Sequence, residues 1–108
     1  MTTRPLTFGI QTLGLTWPEL ADRWPRYDAD GWDSLWIPDH LATPGGGDPV
    51  PFLDAWTALG GLAMATSRVR IGVLVSSTTF RHPAIIARQA VTLDHISNGR
   101  AVLGLGAG

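Results

Sequence analysis

Gly31-Trp-Asp-Ser-Leu-Trp-Ile-Pro-Asp-His40 is the stretch on which the reading of this chain turns. Gly31 stands where a residue free to take the left-handed conformation closes a helix. Leu35, Trp36 and Ile37 form a continuous apolar run, the pattern of a parallel strand. The strand runs into Asp39 and His40, a carboxylate and an imidazole that can move protons or orient a ligand. In open and closed α/β sheets ligands bind at the carboxyl ends of the strands, so this pair marks a candidate site. Adjacent residues on a strand point to opposite sides, so the two side chains need not meet.

The same alternation extends both ways. Leu6 to Ile10 reads as a first strand, with Gln11 and Thr12 at its tip as pocket-floor candidates. Thr16 and Glu19 form a capping box, and Trp17, Leu20, Ala21 and Trp24 recur at helical spacing. Pro25 predicts a kink or an early end to that helix. Thr43 to Pro49 is a flexible loop where a substrate lid would lie. Phe52 to Ala65 reads as a second helix, with Gly60 and Gly61 allowing close packing against the sheet. Val69 to Val75 is a third strand, followed by a polar turn from Ser76 to His82. His82 is expected to cap a third helix opening at Pro83, with Ile86, Ala90 and Leu93 on one face and His95 pointing outward. Ala101 to Leu105 is a fourth strand, followed by Gly106-Ala-Gly108.

Strand alternating with helix predicts an α/β fold with parallel strands and right-handed crossovers. A doubly wound sheet and a (β/α)8 barrel both fit. A barrel takes about 250 residues, and this chain has 108. The expectation is the first three and a half units of a larger fold over residues 1–108, with strands one to four and helices one to three.

Composition narrows the chemistry. The net charge is −1, which gives no reason to expect nucleic acid or an anionic membrane as partner. There is no Lys, which removes Schiff-base chemistry and a Walker-type phosphate lysine. There is no Cys, which removes disulfides and thiolate nucleophiles. No apolar run approaches the roughly 20 residues of a membrane span, and the polar N-terminus lacks a signal-peptide core, so a cytoplasmic location is expected. Only Asp39 and His40 combine ligating side chains with a strand end, so no metal is expected. Gly104-Leu-Gly-Ala-Gly108 lacks the last step of a dinucleotide fingerprint and reads instead as close backbone approach at a sheet mouth.

Taken together, five ordered motifs resemble the luciferase-like flavin and deazaflavin oxidoreductases. They are Gly31 to His40, Ala65-Thr-Ser-Arg-Val-Arg-Ile-Gly72, Thr79-Phe-Arg-His-Pro-Ala84, Leu93-Asp-His-Ile-Ser-Asn-Gly-Arg100 and Gly104 to Gly108. The resemblance covers nearly the whole chain and implies the N-terminal part of a (β/α)8 TIM barrel. It further implies binding of coenzyme F420 or FMN at the carboxyl face. The Trp-rich first helix and Trp56-Thr-Ala-Leu59 look more like the F420-dependent branch. In similar deazaflavin enzymes the residue matching His40 handles a substrate proton beside the reacting ring, with Asp39 next to it. The resemblance also implies a non-proline cis peptide at Leu74–Val75, behind the ring. It places Leu74, Val75, Ser76 and Ser77, with Gly106, Ala107 and Gly108, at the cofactor.

The function implied is hydride transfer between coenzyme F420 and a small organic substrate. One alternative is an FMN-dependent monooxygenase using oxygen. Another is a truncated, non-catalytic half-barrel that associates with itself through its unpaired edges. A homo-oligomer is expected, with little cofactor affinity in the 108-residue chain alone.

Overall fold

The computed structural model describes residues 3–108. Its regular elements are β1 (Gly9–Gln11), α1 (Trp17–Asp30), β2 (Ser34–Ile37), α2 (Ala55–Ala65), β3 (Arg70–Ser77), α3 (Pro83–Ile96) and β4 (Ala101–Gly106). A single 3-10 turn, Pro44–Gly46, interrupts the long connection after β2. All strand pairs are parallel, and the sheet order is β1-β2-β3-β4.

That order decides between the two closures that the strand–helix alternation allows, and it agrees with the barrel implied by the family motifs. A doubly wound sheet reverses its strand order at a switch point. Here every strand joins its predecessor in sequence, as in a barrel wall. The three helices pack on one face of the sheet. Leu35 and Ile37 of β2 and Ile71 and Val73 of β3 form a core with Leu20 and Trp24 of α1, Trp56, Leu59 and Leu62 of α2, and Ile86 and Leu93 of α3. On the other face, Trp36 donates from Nε1 to Ser34 Oγ at 2.9 Å. Its ring lies over Gly72, where an added Cβ would come within 2.8 Å of it.

Local chemistry sets most boundaries. The Thr16 amide donates to Glu19 Oε2 at 2.8 Å and the Thr16 hydroxyl to the same oxygen at 2.9 Å, starting α1 where the capping box predicts. Gly31 closes α1 at φ 95°. Helix α1 does not stop at Pro25 but continues to Asp30. Buried Leu20 and Trp24 and partly buried Tyr27 anchor it through the missing hydrogen bond.

Helix α2 begins three residues later than expected. The Asp54 carboxylate accepts from the Thr57 amide at 2.9 Å and is the N-cap, which leaves Phe52 and Leu53 in the lead-in. Gly61 does not face the sheet: an added Cβ would lie 2.5 Å from the Trp17 ring of α1, so its vacancy seats a neighbouring helix. Gly60 faces open space. Strand β3 runs two residues further than expected, because Ser76 and Ser77 pair with Leu105 and Gly106.

A polar cluster ties the sheet's amino-terminal pole together. Arg100 donates to the carbonyls of Ala63 (2.9 Å), Thr66 (3.0 Å), Val69 (2.9 Å) and Ser97 (2.7 Å). Asp28 of α1 accepts from the amides of Ser67 (2.9 Å), Arg68 (3.0 Å) and Val69 (2.9 Å), which fixes the entry to β3.

Candidate active site

The opposite pole carries a cleft of about 340 Å3, lined at the tips of β2, β3 and β4. Its walls are Asp39, His40, Leu74, Val75, Ser77, Phe80 and the backbone of Gly106, Ala107 and Gly108. Eight of the nine positions expected as catalytic or cofactor-binding therefore meet at one place. The ninth, Ser76, does not line it. Its side chain is fully buried, its hydroxyl accepting from Trp56 Nε1 at 3.0 Å and from Arg81 Nη1 at 3.2 Å. The strand's alternation turns it into the helix layer, while the Ser77 hydroxyl lies 2.8 Å from that of Thr79.

The cleft is shaped by close strand contact. The Leu74–Val75 peptide is cis, and the pairing of β3 with β4 shifts register between Val73 and Ser76. An added Cβ at Gly104 would lie 2.8 Å from the Val73 carbonyl oxygen, and one at Gly106 would lie 2.5 Å from Val75 Cγ2. Glycine at both positions is thus demanded by the neighbouring strand itself. This is the close backbone approach that the glycine spacing predicts. Gln11 reaches from β1 to donate to the Leu74 carbonyl at 2.8 Å, so it supports the wall without lining it. Thr12 is structural: its hydroxyl accepts from Trp24 Nε1 at 3.2 Å, away from the cleft.

Asp39 and His40 diverge, as neighbours on a strand do. The His40 ring is exposed at the cleft, edge-on to Phe52 with centroids 5.4 Å apart. The Asp39 side chain is only 5% exposed and forms a bidentate pair with Arg81, Nη1 to Oδ2 at 2.6 Å and Nη2 to Oδ1 at 2.9 Å. The Ser77 amide also donates to Oδ2 at 2.8 Å. Burial works to raise the Asp39 carboxyl, but the Arg81 guanidinium and the Ser77 amide outweigh it and hold it below the usual carboxylate range. Asp39 is therefore a fixed anion inside an ion pair, a geometry that suits orientation and not proton transfer. Arg81, inside the Thr79-to-Ala84 motif, is a site residue that the sequence reading misses. Its place four residues past the end of β3, beside a helix-capping His, is the signal that could have marked it.

Residues 5–108 match the family described as luciferase-like monooxygenase. The chain belongs to that family. Its relatives are enzymes. It is 39% identical over 92 residues to the F420-dependent glucose-6-phosphate dehydrogenase of Amycolatopsis mediterranei (strain U-32), covering 83% of this chain and 27% of that protein. It is 40% identical over 81 residues to the 4-hydroxyprotoasukamycin monooxygenase of Streptomyces nodosus subsp. asukaensis, covering 75% of this chain and 21% of that protein. The coenzyme F420-dependent tetrahydromethanopterin reductase of Methanopyrus kandleri superposes with a TM-score of 0.84 at 29% identity, over 97% of this chain and 28% of that one. The chain thus spans about a quarter of the length of the curated relatives it matches. Its fold is four strands of the barrel wall of this family.

The walls of the cleft fit a planar redox heterocycle. Leu74 and Val75 are each 43% exposed and Phe80 is 42% exposed, and together they give the cleft an apolar lining. His40 and the Ser77 hydroxyl add polar groups at the edge. Among the described residues no three His, Cys, Asp or Glu side chains converge, and no helix is long and apolar enough to cross a membrane.

Proposed function

We propose that this chain forms part of the cofactor cleft of an oxidoreductase that passes a hydride between coenzyme F420 and a small organic substrate. The observation that carries the reading is the convergence of His40, Leu74, Val75 and Ser77, and residues 106–108 on one apolar cleft at the strand tips. The F420-dependent relatives support this choice of cofactor.

The bound cofactor would supply the two-electron chemistry. Leu74, Val75 and Phe80 would cover its ring and exclude water. His40, in no ion pair among the described residues and open to the cleft, would hold or deliver the substrate proton from a ring nitrogen. Asp39 would stay ionised and orient, since Arg81 satisfies both of its oxygens.

A second reading, an FMN-dependent monooxygenase, draws on the similarity to the 4-hydroxyprotoasukamycin monooxygenase. Titration of the protein, in the form its organism makes, with F420 and with FMN separates the two. Saturable binding of F420, with no oxygen uptake, is the expected result. Tight FMN binding with oxygen consumption moves the assignment to the monooxygenase. Binding of neither leaves the non-catalytic, self-associating half-barrel.

A further inference from the structure

We propose that Arg81 is a positioning residue of the cleft, locking the Asp39 carboxylate and with it the tip of β3 into the shape that receives the heterocycle. This rests on reading the cleft as a redox-cofactor site.

Arg81 does not line the cleft, and its side chain is 15% exposed. It nevertheless touches the elements that build the cleft. Two donors go to Asp39 at the tip of β2, and one goes to the Ser76 hydroxyl on β3. Its Nη2 lies 3.9 Å from Asp54, the cap of α2. The next residue, His82, caps α3 by accepting from the Ala84 amide at 3.1 Å. Asp39 in turn fixes the Ser77 amide, and Ser77 and Asp39 both line the cleft. One planar guanidinium thus joins two strand tips and lies beside the caps of two helices. Only a fork of donors can meet both carboxylate oxygens at once, so Lys is not an equivalent.

Removing Arg81 leaves a carboxylate that is 5% exposed without its counter-charge. That group must take up a proton, which weakens it as the acceptor of the Ser77 amide, or turn toward water, which releases that amide. The charged and titratable groups around Asp39 are Arg81 itself, Asp54 behind it at the start of α2, and His40 next in the chain; β3 contributes only hydroxyls and amides.

The test is a fluorescence titration of the protein, in the form its organism makes, with F420 and with FMN. It compares Arg81→Met, Arg81→Lys, Asp39→Asn and the double variant, each checked for folding by circular dichroism. Arg81→Met should weaken cofactor binding about 10- to 100-fold, the usual cost of losing an outer-shell partner. Arg81→Lys should lie between it and the wild type. In the Asp39→Asn background the same Arg81→Met change should cost less than about threefold, because no buried charge remains to be matched. The Met variant alone should also gain an affinity change between roughly pH 4 and 7, as the unpaired Asp39 titrates.

An Arg81→Met protein that binds as the wild type does overturns the inference, as do losses that simply multiply in the double variant. In both cases the cofactor reading survives. A wild type that binds neither heterocycle overturns that reading and this inference with it. Should Arg81→Met fail to fold, Arg81→Lys with and without Asp39→Asn decides the matter by the same comparison.

Discussion

His40 is the residue whose loss should separate chemistry from binding. Its ring is exposed at the cleft rim and touches Phe52 edge-on, so His40→Asn removes proton transfer while leaving the apolar walls in place. The expected outcome is a fall in kcat of about 10²- to 10⁴-fold with little change in cofactor affinity. Steady-state rates beside a binding titration check it, and an unaltered kcat removes His40 from the mechanism. Asp28 makes a stability prediction. Burial works to raise its carboxyl, but amide donors from Ser67, Val69 and Arg68, together with the Ser67 hydroxyl, hold it below the usual range. A depressed carboxylate contributes stability above its unfolded value near pH 4, and that contribution is lost as pH falls through its folded value. Asp28→Asn should therefore cost about 1–3 kcal/mol at pH 7, and the cost should shrink at pH 3. Urea unfolding at the two pH values measures the difference. Strand-end position made Asp39 and His40 legible as a pair in the sequence. The partner of Asp39 was not, because Arg81 lies 42 positions away and only tertiary packing brings them together. Ser76 was misplaced for a related reason: which of two adjacent hydroxyls faces the cleft depends on the local register of β3 against β4.

At the scale of elements, the paired glycines of α2 give opposite forecasts. Gly61→Ala pushes a methyl into the Trp17 ring and should destabilise by about 1–3 kcal/mol, as overpacking does. Gly60→Ala meets only open space in a helix interior and should stabilise by about 0.5–1 kcal/mol. Thermal denaturation of the two variants checks both signs, and equal effects would show that the α1–α2 contact is looser than described. Helix α3 was readable in full, because Pro83, the spacing of Ile86, Ala90 and Leu93, and the Ser97-Asn-Gly99 stop all agree. Elsewhere a single residue misled. Pro25 argued for a kink or an end, and the buried Trp24 carries the helix past it, while Phe52 extended a helix that Asp54 caps two residues later. Ser76 and Ser77 looked like a turn because they are polar. They are strand because the glycine backbone of β4 approaches closely enough to pair with them.

At the scale of the whole molecule, stability and chemistry sit at opposite poles of the sheet. Arg100 satisfies carbonyls from α2, from the lead-in to β3 and from the end of α3, so Arg100→Met leaves several of them without a partner. The expected loss is about 3 kcal/mol or more, read as a shift in urea midpoint, and Arg100→Lys should recover little of it. The alternation of strand and helix does not choose between barrel and doubly wound sheet, since both use the same crossover hand and differ only in which strands become neighbours, so the barrel was legible only through the family motifs. Self-association is a proposal at this scale. Leu103 and Leu105 share a sheet face with Val73 and Ser76, which α2 and α3 cover, yet remain 45% and 53% exposed. The 108-residue polypeptide alone should therefore associate, and Leu103→Lys with Leu105→Lys should return it to monomer in light scattering. A monomeric parent chain would count against this. The order β1-β2-β3-β4 has one more consequence. Each strand docks on the segment translated just before it. A ribosome releasing this polypeptide delivers every newcomer next to its mate, so the nascent wall can grow stepwise without waiting for a distant segment to emerge.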